Sequence, residues 1–232
     1  MLPTLLIAGN FIRTQWLVVA IMTAYLLGIS GVFAVHRQPA ETTFFLQWHS
    51  FYVLFLAMIL AVSAIQSERK SRRIIAVLSK GIHRWQYLVG LLCGCGAIAG
   101  FFWIVIACTT LGLSREAGYP TAELFPLFVA LFCCSLATTS VALFYSVFLH
   151  PLLATAATSA TLLLGYLVQP WGWRLPDVVS PVSSIFGLLE RFQLDQGGRA
   201  WGLSLAALIY AGVFLIAGSA IFARRDVTTS PE

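Results

Sequence analysis

Charged residues are scarce in this sequence, since Asp, Glu, Lys and Arg together make up 10% of its 232 residues. Soluble domains usually carry about 25%. Hydrophobic residues account for 59%, and the mean hydropathy is +0.87. Because a helix needs about 20 apolar residues to cross the hydrocarbon core, a chain of this length can hold about six spans. The composition leaves little room for a soluble domain and predicts an integral membrane protein.

Several functional signatures are also missing. No span has Asp or Glu near its middle, which argues against a proton- or sodium-coupled carrier. There is no G-x-x-x-x-G-K-[ST] loop and no hydrolase or metalloprotease motif, so we predict no catalytic residues and no ATPase site in this chain. The five cysteines all fall in apolar runs, so we expect neither disulfides nor a metal site.

Six hydrophobic segments predict an all-α fold in which residues 1–232 form a single transmembrane domain. The predicted spans are residues 16–35, 45–65, 87–113, 124–149, 152–168 and 201–222. Before the first span, residues 3–14 have an apolar face that includes Leu5 and Leu6 and a polar face with Asn10 and Arg13. This pattern predicts an interfacial helix.

The distribution of Lys and Arg predicts the orientation, because positive residues near span ends stay in the cytoplasm. With the N-terminus inside, nine of them are cytoplasmic: Arg13, Arg69, Lys70, Arg72, Arg73, Lys80, Arg84, Arg224 and Arg225. The other five are spread over three connections on the opposite side: Arg37, Arg115, Arg174, Arg191 and Arg199. We therefore expect both termini in the cytoplasm.

The longest connection, residues 169–200, contains the run SPVSSIFGLLERF. Ser180 or Pro181 can start a helix there, but its apolar residues are too few to cross a membrane. We interpret it as a re-entrant or interfacial helix on the outer face. An ordered external loop without a functional task is the alternative.

The most informative stretch is residues 67–90, which we call the basic segment, between the second and third spans. At 100° per residue, Arg69, Arg72, Arg73 and Lys80 share one helical face and the aliphatic residues another. Such a helix can rest on anionic lipid or dock into a cytoplasmic partner. Since the positive charge is concentrated beside the membrane, the net charge of +5 does not indicate nucleic-acid binding.

The basic segment resembles the first cytoplasmic loop of type-two ABC exporter permeases, in which a Glu-led basic helix precedes a turn, an Arg-aromatic pair and a Gly-containing third span. The matching residues are Glu68, Ile74, Val77, Leu78, Ser79, Arg84, Trp85 and Gly90. The end of the last span, Phe222 to Asp226, also resembles the family, which often has an aromatic, a basic pair and Asp there. Together with the order of the other segments, the resemblance covers nearly the whole chain.

The resemblance implies that the helix after the second span is a coupling helix, docked on a separate ATP-binding subunit that holds ATP and Mg²⁺. The implied coupling residues are Glu68, Arg69, Arg72, Arg73, Ile74 and Leu78. A complete exporter would contain two ATPase subunits and two permease subunits, as a homodimer or heterodimer. It would move a hydrophobic or amphipathic substrate outward by alternating access, and we expect it in a bacterial cytoplasmic membrane.

In the family, the second and fifth spans line the translocation path. The implied path residues are Gln47, His49 and Tyr52 on the second span and Thr155, Thr158 and Thr161 on the fifth. Each set has a simpler explanation. The aromatic run around Gln47 can be an interfacial belt with a water-facing histidine, and the threonine hydroxyls can bond back to their own helix.

Other interpretations stay open. The small-xxx-small patterns of Gly90, Gly94, Gly96 and Gly100 can serve packing within the chain or a dimer seam. A haem-export membrane subunit of cytochrome maturation has a similar length and span number. A non-transporting scaffold, whose basic segment recruits a regulator or anionic lipid, is the alternative from another class.

Overall fold

The computed structural model describes residues 2–36, 39–70, 83–116, 121–168, 179–190 and 197–224, and every structural statement below refers to these residues. Their regular structure is α-helical. The helices are α1 (Leu2–Thr14), α2 (Trp16–His36), α3 (Pro39–Lys70), α4 (Arg84–Glu116), α5 (Thr121–Ser146), α6 (Pro151–Leu162), α7 (Leu164–Val168), α8 (Pro181–Glu190) and α9 (Gly197–Arg224).

Five of these helices are long and apolar enough to cross a membrane. Their apolar windows are Trp16–Phe33, Phe44–Gln66, Arg84–Gly112, Leu124–Ser146 and Gly198–Ala223. They correspond to the predicted first, second, third, fourth and sixth spans. The chain is therefore a multi-pass membrane protein.

The predicted fifth span, residues 152–168, is not one continuous helix. His150 is extended and Pro151 takes the first helical position, where its missing N–H costs no hydrogen bond, so α6 begins there. The helix ends at Leu162, and Leu163 (φ −92°, ψ 6°) separates it from the five-residue α7. The apolar run of residues 152–168 shows no sign of this interruption, so the sequence did not predict it.

Helix α5 is the centre of the bundle. It packs along α9 and also contacts α3, α4, α6 and α8. Most residues of its apolar window are buried, including Cys134, Ala137 and Val141, which are fully buried. Because so many of its side chains are small, several helices can approach its backbone at once.

The glycines of α4 serve packing within the chain, one of the two interpretations that the sequence left open. A Cβ atom on Gly90 would lie 2.9 Å from Ile7, and one on Gly94 would lie 2.9 Å from Phe11, so this face receives α1. Gly96 and Gly100 instead face α5, at Leu136 and Phe132. Close approach of α1 and α5 to opposite parts of α4 therefore requires small residues.

One end of the bundle, which we call the basic end, is where α3 ends at Lys70 and α4 begins at Arg84. Helix α3 continues past the apolar window, and Glu68 and Arg69 lie in its last turns. Arg84 and Trp85 belong to the first turn of α4, three residues before the predicted start of the third span. The C-terminus of α9 lies at the same end, because Arg84 contacts Phe222. We call the opposite end the far end.

Candidate functional site

Helix α8 is a short helix that is buried inside the bundle. Its buried residues are Pro181, Val182, Ser183, Ile185, Leu188 and Leu189. It contacts α3, α5, α6, α7 and α9. The apolar residues that are too few to cross a membrane are therefore covered by the long helices of the same chain.

The contacts at its two ends show how α8 is placed along the bundle. At its N-terminus, the carbonyl of Pro181 lies 3.8 Å from the Sγ atom of Cys134, in the middle of the apolar window of α5. At its C-terminus, the carbonyl of Leu189 accepts a hydrogen bond of 3.0 Å from Gln47 Nε2, near the far end of α3. Ten residues of helix are about 15 Å long, or half the hydrocarbon thickness. The helix therefore extends from the middle of the bundle towards its far end.

The start of α8 is fastened to the interrupted α6–α7 segment. The backbone N–H of Gly165 donates to Ser180 Oγ at 3.2 Å, and the Ser180 and Ser183 hydroxyls hydrogen-bond to each other. A Cβ atom on Gly165 would lie 2.8 Å from Ser180 Oγ and would also collide with Ser183 Oγ. Where a helix is interrupted in an apolar environment, freed backbone groups need such partners. We call Gly165, Ser180 and Ser183 the serine junction.

The predicted path residues of α3 face three different neighbours. Gln47 is hydrogen-bonded to α8, as described above, while Tyr52 donates its hydroxyl to the Sδ atom of Met22 on α2, and its ring centroid lies 5.1 Å from that of Tyr25 in a tilted arrangement. His49 is buried next to Phe45. The three side chains therefore do not meet in one site within a single chain.

His49 is fully buried rather than facing water, so the water-facing alternative was wrong. Its Nδ1 atom lies 2.7 Å from the carbonyl oxygen of Phe45, which can only accept, so Nδ1 carries the proton. Its Nε2 atom has no hydrogen-bond partner among the described residues. In the neutral imidazole this second nitrogen can accept a hydrogen bond from a water molecule or a polar ligand group.

The predicted path residues of α6 bond mainly to their own helix. Thr155, Thr158 and Thr161 donate to the carbonyls four residues earlier at 2.9, 2.7 and 2.7 Å. This is the simpler explanation that the sequence left open. Thr161 also joins another helix, through a hydroxyl contact of 2.9 Å with Tyr145 on α5.

The predicted coupling residues are only partly within the described structure. Glu68 and Arg69 lie in α3, whereas Arg72, Arg73, Ile74 and Leu78 lie outside the described residues. Immediately after this stretch, His83 takes the position before α4, where its backbone N–H donates to Gln86 Oε1 at 3.2 Å. Helix α4 therefore starts within the basic segment, at Arg84.

Two groups of interacting residues could not be predicted from the sequence. The serine junction was visible only as two serines three apart in the SPVSS run and as a single glycine in LLLGYL. A second pair joins α4 to α5, where Trp103 Nε1 donates to Ser135 Oγ at 2.8 Å between two buried side chains. Neither contact has a local sequence pattern, because each joins helices that are distant in the chain.

The side chains placed around α3 and α8 offer hydrogen-bonding and aromatic groups. Among the described residues, no three His, Cys, Asp or Glu side chains come together as a possible metal site. No protein-family model matches this chain, and no curated protein matches it either. Its function must therefore be argued from the residues and their geometry.

Proposed function

We propose that this chain is the membrane-spanning permease subunit of an ATP-driven exporter of the type-two ABC class. Support comes first from the resemblance of the basic segment, at Glu68, Arg84 and Trp85, to the first cytoplasmic loop of that family. The chain has no ATPase motif of its own, so ATP and Mg²⁺ belong to a partner subunit.

The observation that carries the proposal is where the basic segment is attached. It connects the end of α3 to the start of α4, and these helices pack on each other and on the central α5. A partner that moved this segment would act on both helices at once. An ATPase docked there is therefore mechanically connected to the core of the bundle.

The buried α8 supports a transport role for the far end. Interrupted and partly inserted helices are tolerated in membranes where they are covered by protein or line a cavity. In this proposal α8 is re-entrant from the outer face, α1 lies in the inner interface and both termini are cytoplasmic. Two permease copies, identical or different, and two ATPase subunits form the exporter, with α6 and α7 completing a sixth span.

The proposed substrate is hydrophobic or amphipathic, and it passes between the two permease subunits by alternating access. The bacterial cytoplasmic membrane is the proposed location. The candidate path residues stay Gln47, His49, Tyr52, Thr155, Thr158 and Thr161. Among them, His49 offers a buried nitrogen that has no hydrogen-bond partner in the described part of the chain, and Tyr52 offers an aromatic face.

The test is purification of the full chain in mild detergent from its own host, followed by identification of bound proteins and measurement of ATP hydrolysis. We expect an ATPase subunit with a phosphate-binding loop at one copy per permease. Replacing Arg72 and Arg73 together by Glu should reduce ATP hydrolysis to background by repelling or displacing the partner. Arg13→Gln, at the exposed end of α1, is the matched control and should keep full activity.

Three results would count against this function. Full ATP hydrolysis by the double Glu variant would remove the coupling role of the basic segment. Haem absorbance in the purified complex would favour the haem-export alternative, while absence of any ATPase together with salt-sensitive binding to anionic vesicles would favour a scaffold.

A further inference from the structure

Arg84 joins the start of α4 to the end of α9. Its Nη1 atom donates to the carbonyl oxygens of Phe222 at 2.7 Å and Ala223 at 3.1 Å. Its guanidinium carbon also lies 5.8 Å from the centroid of the Phe222 ring, which is almost fully buried. One side chain therefore contacts both the backbone and the aromatic ring at the last turn of α9.

These contacts have the character of a helix cap supplied from another helix. The last carbonyls of a helix lack partners within it, and they lie at the negative end of its dipole. A guanidinium group donates hydrogen bonds to these carbonyls and places a positive charge at the negative end of the dipole, and its charge strengthens the hydrogen bonds. The adjacent cation–π contact adds to the attraction.

A second contact also connects the start of α4 to the end of α9. Tyr87, one turn further along α4, has its ring 6.3 Å from that of Phe222. One turn before Phe222, α9 packs closely along α5, where a Cβ atom on Gly218 would lie 3.5 Å from Phe144. A displacement of the first turn of α4 would therefore reach α5 through α9.

We propose that Arg84 is a positioning residue that transmits movement of the basic segment to α9. This inference rests on the proposed function, because an ATPase must move the basic segment. Next to Arg84, an open pocket is lined by His83 and Trp85 from the start of α4 and by Ser219, Ala220 and Ala223 from the end of α9.

The first measurement tests the cap and needs no partner. Hydrogen–deuterium exchange is followed at residues 216–223 of the full chain in lipid nanodiscs. Arg84→Gln removes the charge that strengthens both hydrogen bonds and should speed exchange there about tenfold. Arg84→Lys keeps the charge and should give an intermediate rate, and the control Arg13→Gln should match the unaltered chain.

The second measurement tests transmission in the complex with its co-purified ATPase. Exchange in the same turn is compared with bound ADP and with a non-hydrolysable ATP analogue. We expect the exchange rate to differ between the two nucleotides, both in the unaltered complex and in Arg13→Gln. The difference should vanish in Arg84→Gln, although the ATPase stays bound in the same ratio.

Each result decides a separate claim. Unchanged exchange in both Arg84 variants of the isolated chain would overturn the cap. A nucleotide difference that persists in Arg84→Gln would overturn transmission, even if the cap is real. If no ATPase co-purifies, the proposed function and the transmission fall together, whereas the cap is still decided by the first measurement.

Discussion

Helices α5 and α2 have nearly the same mean hydropathy, 2.2 and 2.0, but very different surroundings. In α5, 72% of the apolar window is buried inside the chain, compared with 11% in α2. Lipid tails are as apolar as leucine side chains, so hydropathy does not distinguish a helix in the core from one at the edge. What differs is the packing that the side chains allow.

The two helices present different surfaces to their neighbours. Helix α5 carries the run CCSLATTS, from Cys133 to Ser140, whose side chains are small on every side apart from Leu136. Helix α2 meets the bundle along one stripe, where Leu26 and Ser30 are buried and Phe33 lies 5.2 Å from Phe45. Most of its other large side chains lie exposed at the surface of the chain. One helix thus organises the bundle, while the other is attached to its side.

The largest effect should come from enlarging a small residue of the core helix. Ala137→Leu adds three carbon atoms at a fully buried position of α5, and overpacking of this kind costs about 3 kcal/mol. The apparent Tm in detergent should fall clearly. The matched change on α2, Ala24→Leu at an exposed position, should leave the Tm almost unchanged. Equal shifts in the two variants would contradict the contrast between the helices.

A smaller effect on the Tm is expected at the serine junction, between the effects of Ala137→Leu and Ala24→Leu. Gly165→Ala places a methyl group against the Ser180 and Ser183 hydroxyls and should cost about 1 kcal/mol. The double change Gly165→Ala with Ser183→Ala removes one of the colliding oxygens and should recover part of the loss. Thermal unfolding of both variants checks this, and a double variant no better than the single one would argue against close packing of α7 on α8.

The smallest effect is expected where α2 meets α3. Tyr52→Phe removes the hydroxyl that donates to Met22 but keeps the ring contact with Tyr25. Side-chain hydrogen bonds between membrane helices contribute about 0.6 kcal/mol on average, and a thioether is a weak acceptor. The Tm should therefore change little, whereas exchange of the α2 amides should rise. A Tm loss as large as that of Ala137→Leu would mean that α2 is part of the core.

The candidate site shows how far sequence reasoning reaches. The short helix in the SPVSSIFGLLE run could be expected from its starting Ser-Pro and its length, and α8 indeed begins at Pro181. Its burial between five helices could not be predicted, because the same number of hydrophobic residues also fits an interfacial helix. The directions in which the side chains of Gln47, His49 and Tyr52 point could not be predicted either, because they depend on which helices surround α3.

The amino-acid sequence was enough to predict the helical class and the membrane environment, because scarce charge and long apolar runs leave no other stable arrangement of the backbone in lipid. It also determined five of the long helices and the concentration of positive charge at residues 67–90. The folded arrangement of the helices was needed to show that α5 is central, that Leu163 separates α6 from α7 and that Arg84 contacts the end of α9. These features depend on contacts between distant segments, and in an apolar solvent such contacts are selected by shape and hydrogen bonding rather than by hydropathy.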